Sequence, residues 1–242
     1  ALWLIIIAMF FICIQAVLSY SGIDRAGGTG YGPNEFAIMI LPFIAITLYM
    51  FFSEKGILKL LSFINCMVIF FALLSTVSRG GIIGLGGMLV FLALKAKKKL
   101  VTLLLVILTA TVLFNTLPVS LKERLNKTEI SDTYAGDEAI DSSTRRYYLA
   151  QAAWRMFLAH PLFGVGIGNY YYENRNYAPV HPGRAHNMYL EIMAELGIIG
   201  IILFLGVIFY TFRSLNRIIK AKSMLSGYAR GFYIGLVGFL VA

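Results

Sequence analysis

Charge is scarce in this sequence. Only 14% of its 242 residues are Asp, Glu, Lys or Arg, against roughly a quarter in an average soluble domain, which excludes a chain whose main solvent is water. Acids are the scarcer sign, 12 against 21 Lys and Arg, leaving a formal net charge of +9. Histidine and cysteine are rarer still, at 3 and 2. His160 and His181 do not combine with His186 into a zinc-like spacing, and neither Cys-x-x-Cys nor His-Glu-x-x-His occurs, so no metal is expected. Cys13 and Cys66 lie inside apolar runs and read as small hydrophobes, not as a disulfide. The lack of a Walker-type phosphate loop argues against ATP-driven work, and no nucleophile elbow frames a serine, so no cofactor is expected.

Long apolar runs fill the space that charge leaves. The chain is 59% hydrophobic with a mean hydropathy of +0.77, and several runs approach or exceed the ~18 residues that cross a bilayer's hydrocarbon core. Spans are expected at about Leu2–Leu18, Pro33–Phe52, Ile57–Val77, Gly81–Leu94, Leu100–Leu117 and Met188–Phe212, with an incomplete one from about Gly231. The fold class expected is all-α, a polytopic transmembrane helix bundle with a long extracytoplasmic loop containing an amphipathic helix. Because the chain opens in mid-span without methionine and stops at Ala242 inside another apolar run, it is expected to be a fragment.

About half of the 21 Lys and Arg fall in three clusters: Lys55 with Lys59, then Lys95, Lys97, Lys98 and Lys99, then Arg213, Arg217, Lys220 and Lys222. If all three face the cytoplasm, seven crossings alternate without a span added or removed. The basic balance is thus spent on orientation, and no nucleic-acid partner is expected. The same alternation puts Ser19–Gly32, the turn Ser78–Gly80 and the stretch from Pro118 to about Ala185 outside. The expected division is residues 1–117 as transmembrane helices with short outer loops, 118–186 as an extracytoplasmic catalytic loop, and 187–242 as C-terminal transmembrane helices. Within the loop, STRRYYLAQAAWRMFLAHP pairs a hydroxyl capping signal with apolar residues at helical spacing, and such a helix can lie along the membrane surface.

The strongest chemical segment is HNMYLEIMAELGIIG, from His186. An imidazole where the loop enters a span can exchange protons near neutrality, which suits a general base; the competing reading is an interfacial histidine that caps the helix together with Asn187. Glu191 and Glu195 share a helix face. Glu191 is placed to orient His186, or both carboxylates hold helices together, the role that fits Glu195 better. Arg79, in a tight outer turn bounded by glycine on one side, matches a phosphate or diphosphate in shape and charge, and a headgroup-snorkelling arginine is the alternative. Arg25 lies in a second glycine-rich outer loop beside Asp24. Arg145 and Arg146 precede the loop helix and, with Arg79, add to a positive outer pocket unless they are merely solvated.

His-Asn at 186–187, nine residues, Gly197, two residues and Gly200 resemble the signature of the O-antigen ligase and O-antigen polymerase superfamily. SRGG at Ser78–Gly81, HPLFGVGIGNY at His160–Tyr170, and the glycine-rich loop running into Pro33-Asn34 after Arg25 agree in order and spacing. The resemblance covers nearly the whole chain, as the C-terminal part of a larger protein of the bacterial cytoplasmic membrane. It implies a metal-independent, inverting glycosyltransferase acting on the extracytoplasmic face. The donor would be a glycan on undecaprenyl diphosphate. The acceptor would be lipid A-core, another glycan chain or a protein, with membrane lipids as the remaining partners. Arg79 and one of Arg145 or Arg146 would hold the diphosphate, and His186 would orient or deprotonate the acceptor hydroxyl. The residues leave open two alternatives, a small-anion transporter of bicarbonate type and a non-catalytic scaffold of a polysaccharide assembly complex.

Overall fold

The computed structural model describes residues 2–20, 26–27, 32–95, 142–223 and 225–242. The expected span Leu100–Leu117, the loop over 118–141 and Arg25 lie outside the described residues. No strand occurs among those described. The helices are α1 (Leu2–Ser19), α2 (Pro33–Ser53), α3 (Gly56–Ser75), α4 (Arg79–Lys95), α5 (Ser142–Ala159), the single turn α6 (Tyr170–Glu173), α7 (Met188–Lys220) and α8 (Ser226–Val241), with a short 3₁₀ turn at Asn174–Asn176. Four of them, α1, α2, α3 and α7, are long and apolar enough to cross a membrane. The chain is an all-α polytopic membrane protein, and it divides into two compact units, Ala1–Leu125 with Phe212–Ala242, and Asn126–Thr211.

In the first unit α2 is the central helix. Pro33 opens it where a missing N–H costs nothing, and the Glu35 carboxylate accepts the Gly32 amide at 3.4 Å. Its buried face, including Phe36, Ile40, Leu41 and Ile44, packs with Cys66 and Ile69 of α3 and Met88 of α4. The last helix approaches more closely still, because α8 presents glycine to α2. A Cβ on Gly235 would lie 2.7 Å from the Pro42 carbonyl oxygen, and one on Gly231 2.8 Å from the Ile46 Cα. Where lipid tails are as apolar as the side chains, such small-residue seams gain their stability from van der Waals contact between backbones. On α4, Gly84 meets Leu41 and Gly238 in the same way. This explains why a glycine-rich run with poor helix propensity in water forms a helix here.

The second unit is built on α5. Leu149, Ala152, Ala153 and Met156, spaced by three and four residues, are fully buried. Against them lie Tyr170, Ala185 and Ala194, so the loop segment folds onto the start of α7. Tyr170 is the centre of this core. Its hydroxyl donates to the Leu149 carbonyl at 2.7 Å, and its backbone N–H donates to Glu195 Oε1 at 3.1 Å. Asn174, also buried, donates from Nδ2 to the Gly183 carbonyl at 2.5 Å and pins the extended stretch that leads to α7.

The sixth span was expected to run unbroken through Met188–Phe212. The helix does occupy Met188–Lys220, but Gly197 interrupts it with φ 64° and ψ −159°. The rings of Tyr189 and Phe204 stand 6.1 Å apart, whereas fifteen residues of straight helix would separate them by about 22 Å. The chain therefore bends sharply into an arm, 188–196, and a longer segment, 198–220. The cause is visible in the packing: a Cβ on Gly197 would lie 2.4 Å from the Leu162 carbonyl oxygen, so the loop backbone occupies the space that a continuing helix with a side chain would need.

Candidate functional site

His186 sits immediately before the arm. Asn187 is the N-cap: its Oδ1 accepts the Leu190 amide at 3.1 Å and its carbonyl accepts the Glu191 amide at 3.0 Å. Asn187 thus supplies the capping bonds seen here. His186 is exposed and has φ 51°. A left-handed non-glycine residue stores of order 1–3 kcal/mol and persists only where its surroundings hold it. Those surroundings are identifiable: Ala185 is buried in the core, and its amide donates to the Glu191 carboxylate, which also lies near Arg184. Glu191 thus secures the turn that carries His186 by gripping the residue before it.

Glu191 lies one helical turn before Glu195, with Arg184 and the Ala185 amide beside its carboxylate. Burial and the Glu191 charge raise the Tyr170 phenol, with Asn174 opposing. Glu195 is tied to the loop, its Oε1 accepting the Tyr170 amide. It lies in the arm ahead of the bend, not deep in a continuous span.

Around this bend the loop and α7 exchange backbone hydrogen bonds. Val165 and Gly166 donate to the carbonyls of Ala194 and Glu195, each at 2.9 Å, and Ile198 donates to the Pro161 carbonyl at 2.8 Å. The last carbonyls of the arm and the first amide of the next segment, which a helix end would leave unpaired, are thereby satisfied. Gly164, at φ +67°, is required at this crossing, since a Cβ there would stand 2.2 Å from the Glu195 carbonyl carbon. The glycines of the two motifs meet here as two backbones in contact, a relation that neither motif discloses alone.

The two loop arginines separate clearly. Arg145 donates from Nη2 to the carbonyls of Pro182 at 3.2 Å and His181 at 3.5 Å, so its guanidinium braces the stretch ahead of His186. Arg146, half-buried beside it, makes no hydrogen bond or ion pair among the described residues. Over residues 142–187 five arginines, 145, 146, 155, 175 and 184, face a single acid, Glu173. Arg155 reaches the Tyr177 carbonyl at 3.2 Å and Arg175 the Tyr172 carbonyl at 2.8 Å. Sequence reading missed Tyr170, Asn174 and Arg184 as supports of this segment, because nothing in their spacing reports burial or contact.

Arg79, in the first unit, is the exposed first residue of α4. Buried Ser78 caps that helix, its Oγ accepting the Gly81 amide at 3.3 Å and its carbonyl the Ile82 amide at 3.0 Å. The cap accounts for a helix that begins at Arg79 and not at the expected Gly81. Thr76 Oγ1 accepts the Ser78 amide at 3.2 Å, and Val77 is forced to φ 50°. Ala26 donates its amide to the Ser75 carbonyl at 3.1 Å, which ties residue 26 to the same turn. A guanidinium at a helix N-terminus adds its charge to the positive end of the macrodipole, a setting that attracts anions. Two of the three left-handed non-glycine residues among those described, Val77 and His186, thus adjoin or are the residues that the sequence singles out.

A family model described as O-antigen ligase matches residues 64–205, from the middle of α3 through the loop helix and past the bend in α7. No curated protein sequence matches the chain significantly. Since the match takes in more than half of the 242 residues, the chain belongs to the O-antigen ligase family.

Proposed function

We propose that this member of the O-antigen ligase family transfers or polymerises a glycan from undecaprenyl diphosphate onto a hydroxyl of an acceptor such as lipid A-core, another glycan chain or a protein, on the extracytoplasmic side of a bacterial cytoplasmic membrane. The observation that carries the reading is His186, an exposed imidazole held in a left-handed turn by Asn187, Glu191 and the buried Ala185. A fixed proton acceptor with a supporting layer beneath it is what a base at an acceptor hydroxyl needs.

In this reading the acceptor oxygen attacks the anomeric carbon from the face opposite the diphosphate, and the new C–O bond forms as the bond to the diphosphate oxygen breaks. The acceptor proton passes to His186, and the anomeric configuration inverts. Lipid diphosphate leaves carrying the electron pair, and Arg79 and Arg146 are assigned to its developing charge. Arginines in a partly dehydrated setting can supply that stabilisation without a metal ion. Arg146 is preferred over Arg145 because the latter's guanidinium is already engaged by the His181 and Pro182 carbonyls. Arg25 is assigned to the same diphosphate.

The bend at Gly197 bears on the transporter alternative, since broken helices carrying ionisable groups are a transporter feature. Here the break is bonded to the loop through Pro161, Val165 and Gly166, and Glu195 accepts a loop amide, so the broken backbone is filled by protein and not by a solute path.

The test uses purified full-length protein in nanodiscs with a labelled lipid-diphosphate glycan and candidate acceptors. Transfer by the protein alone, with Arg146→Ala lowering kcat far more than it raises KM, supports the assignment. Anion uptake in proteoliposomes without any need for the lipid-linked glycan would replace it with a transporter. A requirement for other assembly proteins before any transfer would make the chain a scaffold.

A further inference from the structure

The turn between α5 and α6 carries large apolar side chains that its own unit does not cover. Leu162, Phe163 and Ile167 are 59%, 72% and 80% exposed, and Trp154 on α5 is 46% exposed. No Asp, Glu, Lys or Arg occurs between Arg155 and Glu173. In water such a patch would be an aggregation hazard.

Its position supplies the occupant. The Pro161 carbonyl accepts the Ile198 amide, so the turn is fastened to the first residue of the segment that continues as the spanning part of α7. On that segment Ile202 and Leu203, 60% and 64% exposed, present the same kind of surface one turn farther on. The apolar stretch from Ile198 to the first charge at Arg213 holds fifteen residues, about 22 Å of helix, which is short of the ~30 Å hydrocarbon thickness. A turn of apolar side chains at its loop-side end extends the apolar height at that boundary. Part of the turn's backbone is satisfied internally: Pro161 has no N–H, and the amides of Gly164, Val165 and Gly166 donate within the protein, which lowers the cost of holding irregular backbone at the edge of a bilayer.

We propose that the turn over 161–167 is a membrane-embedded collar, with Leu162, Phe163 and Ile167 inserted among the lipid chains at the headgroup boundary and Trp154 at the level of the headgroups. The loop unit is anchored at the bilayer surface at two places, the spanning helix and this turn. The inference is independent of glycan transfer and stands or falls separately from it.

The experiment places a single cysteine at Phe163→Cys or Ile167→Cys in the full-length protein with Cys13 and Cys66 replaced by alanine. Each is labelled with an environment-sensitive fluorophore and reconstituted at one copy per nanodisc, with exposed Asn176→Cys as the aqueous reference. Labels at 163 and 167 should emit to the blue of the label at 176. Lipids carrying a nitroxide near the headgroup end of the acyl chain should quench them severalfold more. If either cysteine prevents folding, Phe163→Trp with Trp3 and Trp154 replaced by phenylalanine reports the same depth through quenching by brominated lipid. Equal aqueous quenching at 163, 167 and 176 overturns the proposal. So does protection that appears only with two copies in a disc, which would make the patch a contact between copies.

Discussion

Replacing Gly164 by alanine should open the junction between loop and bend, and the cost can be worked from its geometry. At φ +67° any Cβ costs about 1–2 kcal/mol. The added carbon would also stand 2.2 Å from the Glu195 carbonyl carbon and 2.4 Å from its oxygen, backbone atoms that no rotamer change can move. Separating the two segments sacrifices the hydrogen bonds from Val165 and Gly166, at about 1 kcal/mol each. Gly168 is the internal control, since its φ is +77° yet a Cβ there meets nothing within 4 Å. Gly168→Ala should therefore show the backbone term alone, and the two variants should differ by about 2 kcal/mol, roughly 30-fold in the local opening equilibrium. Hydrogen exchange at the Val165 and Gly166 amides of nanodisc-embedded protein reads that ratio directly. Equal loss of protection in both variants would refute the claim that close backbone contact, and not turn conformation, demands glycine at 164.

Arg145→Ala should destabilise the loop unit by about 1–3 kcal/mol by releasing the His181 and Pro182 carbonyls, seen as faster limited proteolysis, whereas Arg146→Ala should stay within about 0.5 kcal/mol of the parent. Glu195→Gln, which keeps an oxygen for the Tyr170 amide, should unfold close to the parent, and Glu195→Ala should lower the unfolding midpoint measurably. Transfer should survive a chelator unchanged if arginines alone carry the leaving diphosphate, and a loss restored by Mg²⁺ would contradict that assignment.

Much of this architecture follows from local rules. Pro33 marks the start of α2, and the apolar spacing at Leu149, Ala153, Met156 and Phe157 marks α5 as an amphipathic helix, because both depend on neighbours within a turn or two; that Ala153 and Met156 pack on Tyr170, Ala185 and Ala194 is not visible at that range. The bend in α7 was hidden for the opposite reason. In an apolar run Gly197 reads as one more tolerated membrane glycine, and only the distant Leu162 backbone explains its φ. The arginine pair shows the same limit. Adjacent residues of one type are indistinguishable by spacing, and it is the His181 and Pro182 carbonyls, some 36 residues away, that occupy Arg145. The motif glycines were legible as a signature, but their purpose is a crossing between segments far apart in sequence.

The central claim is that His186 takes the acceptor's proton. His186→Asn retains a side chain that tolerates the left-handed turn but has no basic nitrogen, so the fold should persist while transfer stops. The decisive measurement is single-turnover transfer from lipid-diphosphate glycan by purified wild type and His186→Asn at matched levels and equal exchange protection of the loop. The account predicts product from the wild type and a rate for the variant lower by at least about 100-fold; transfer by the variant at the wild-type rate would contradict it.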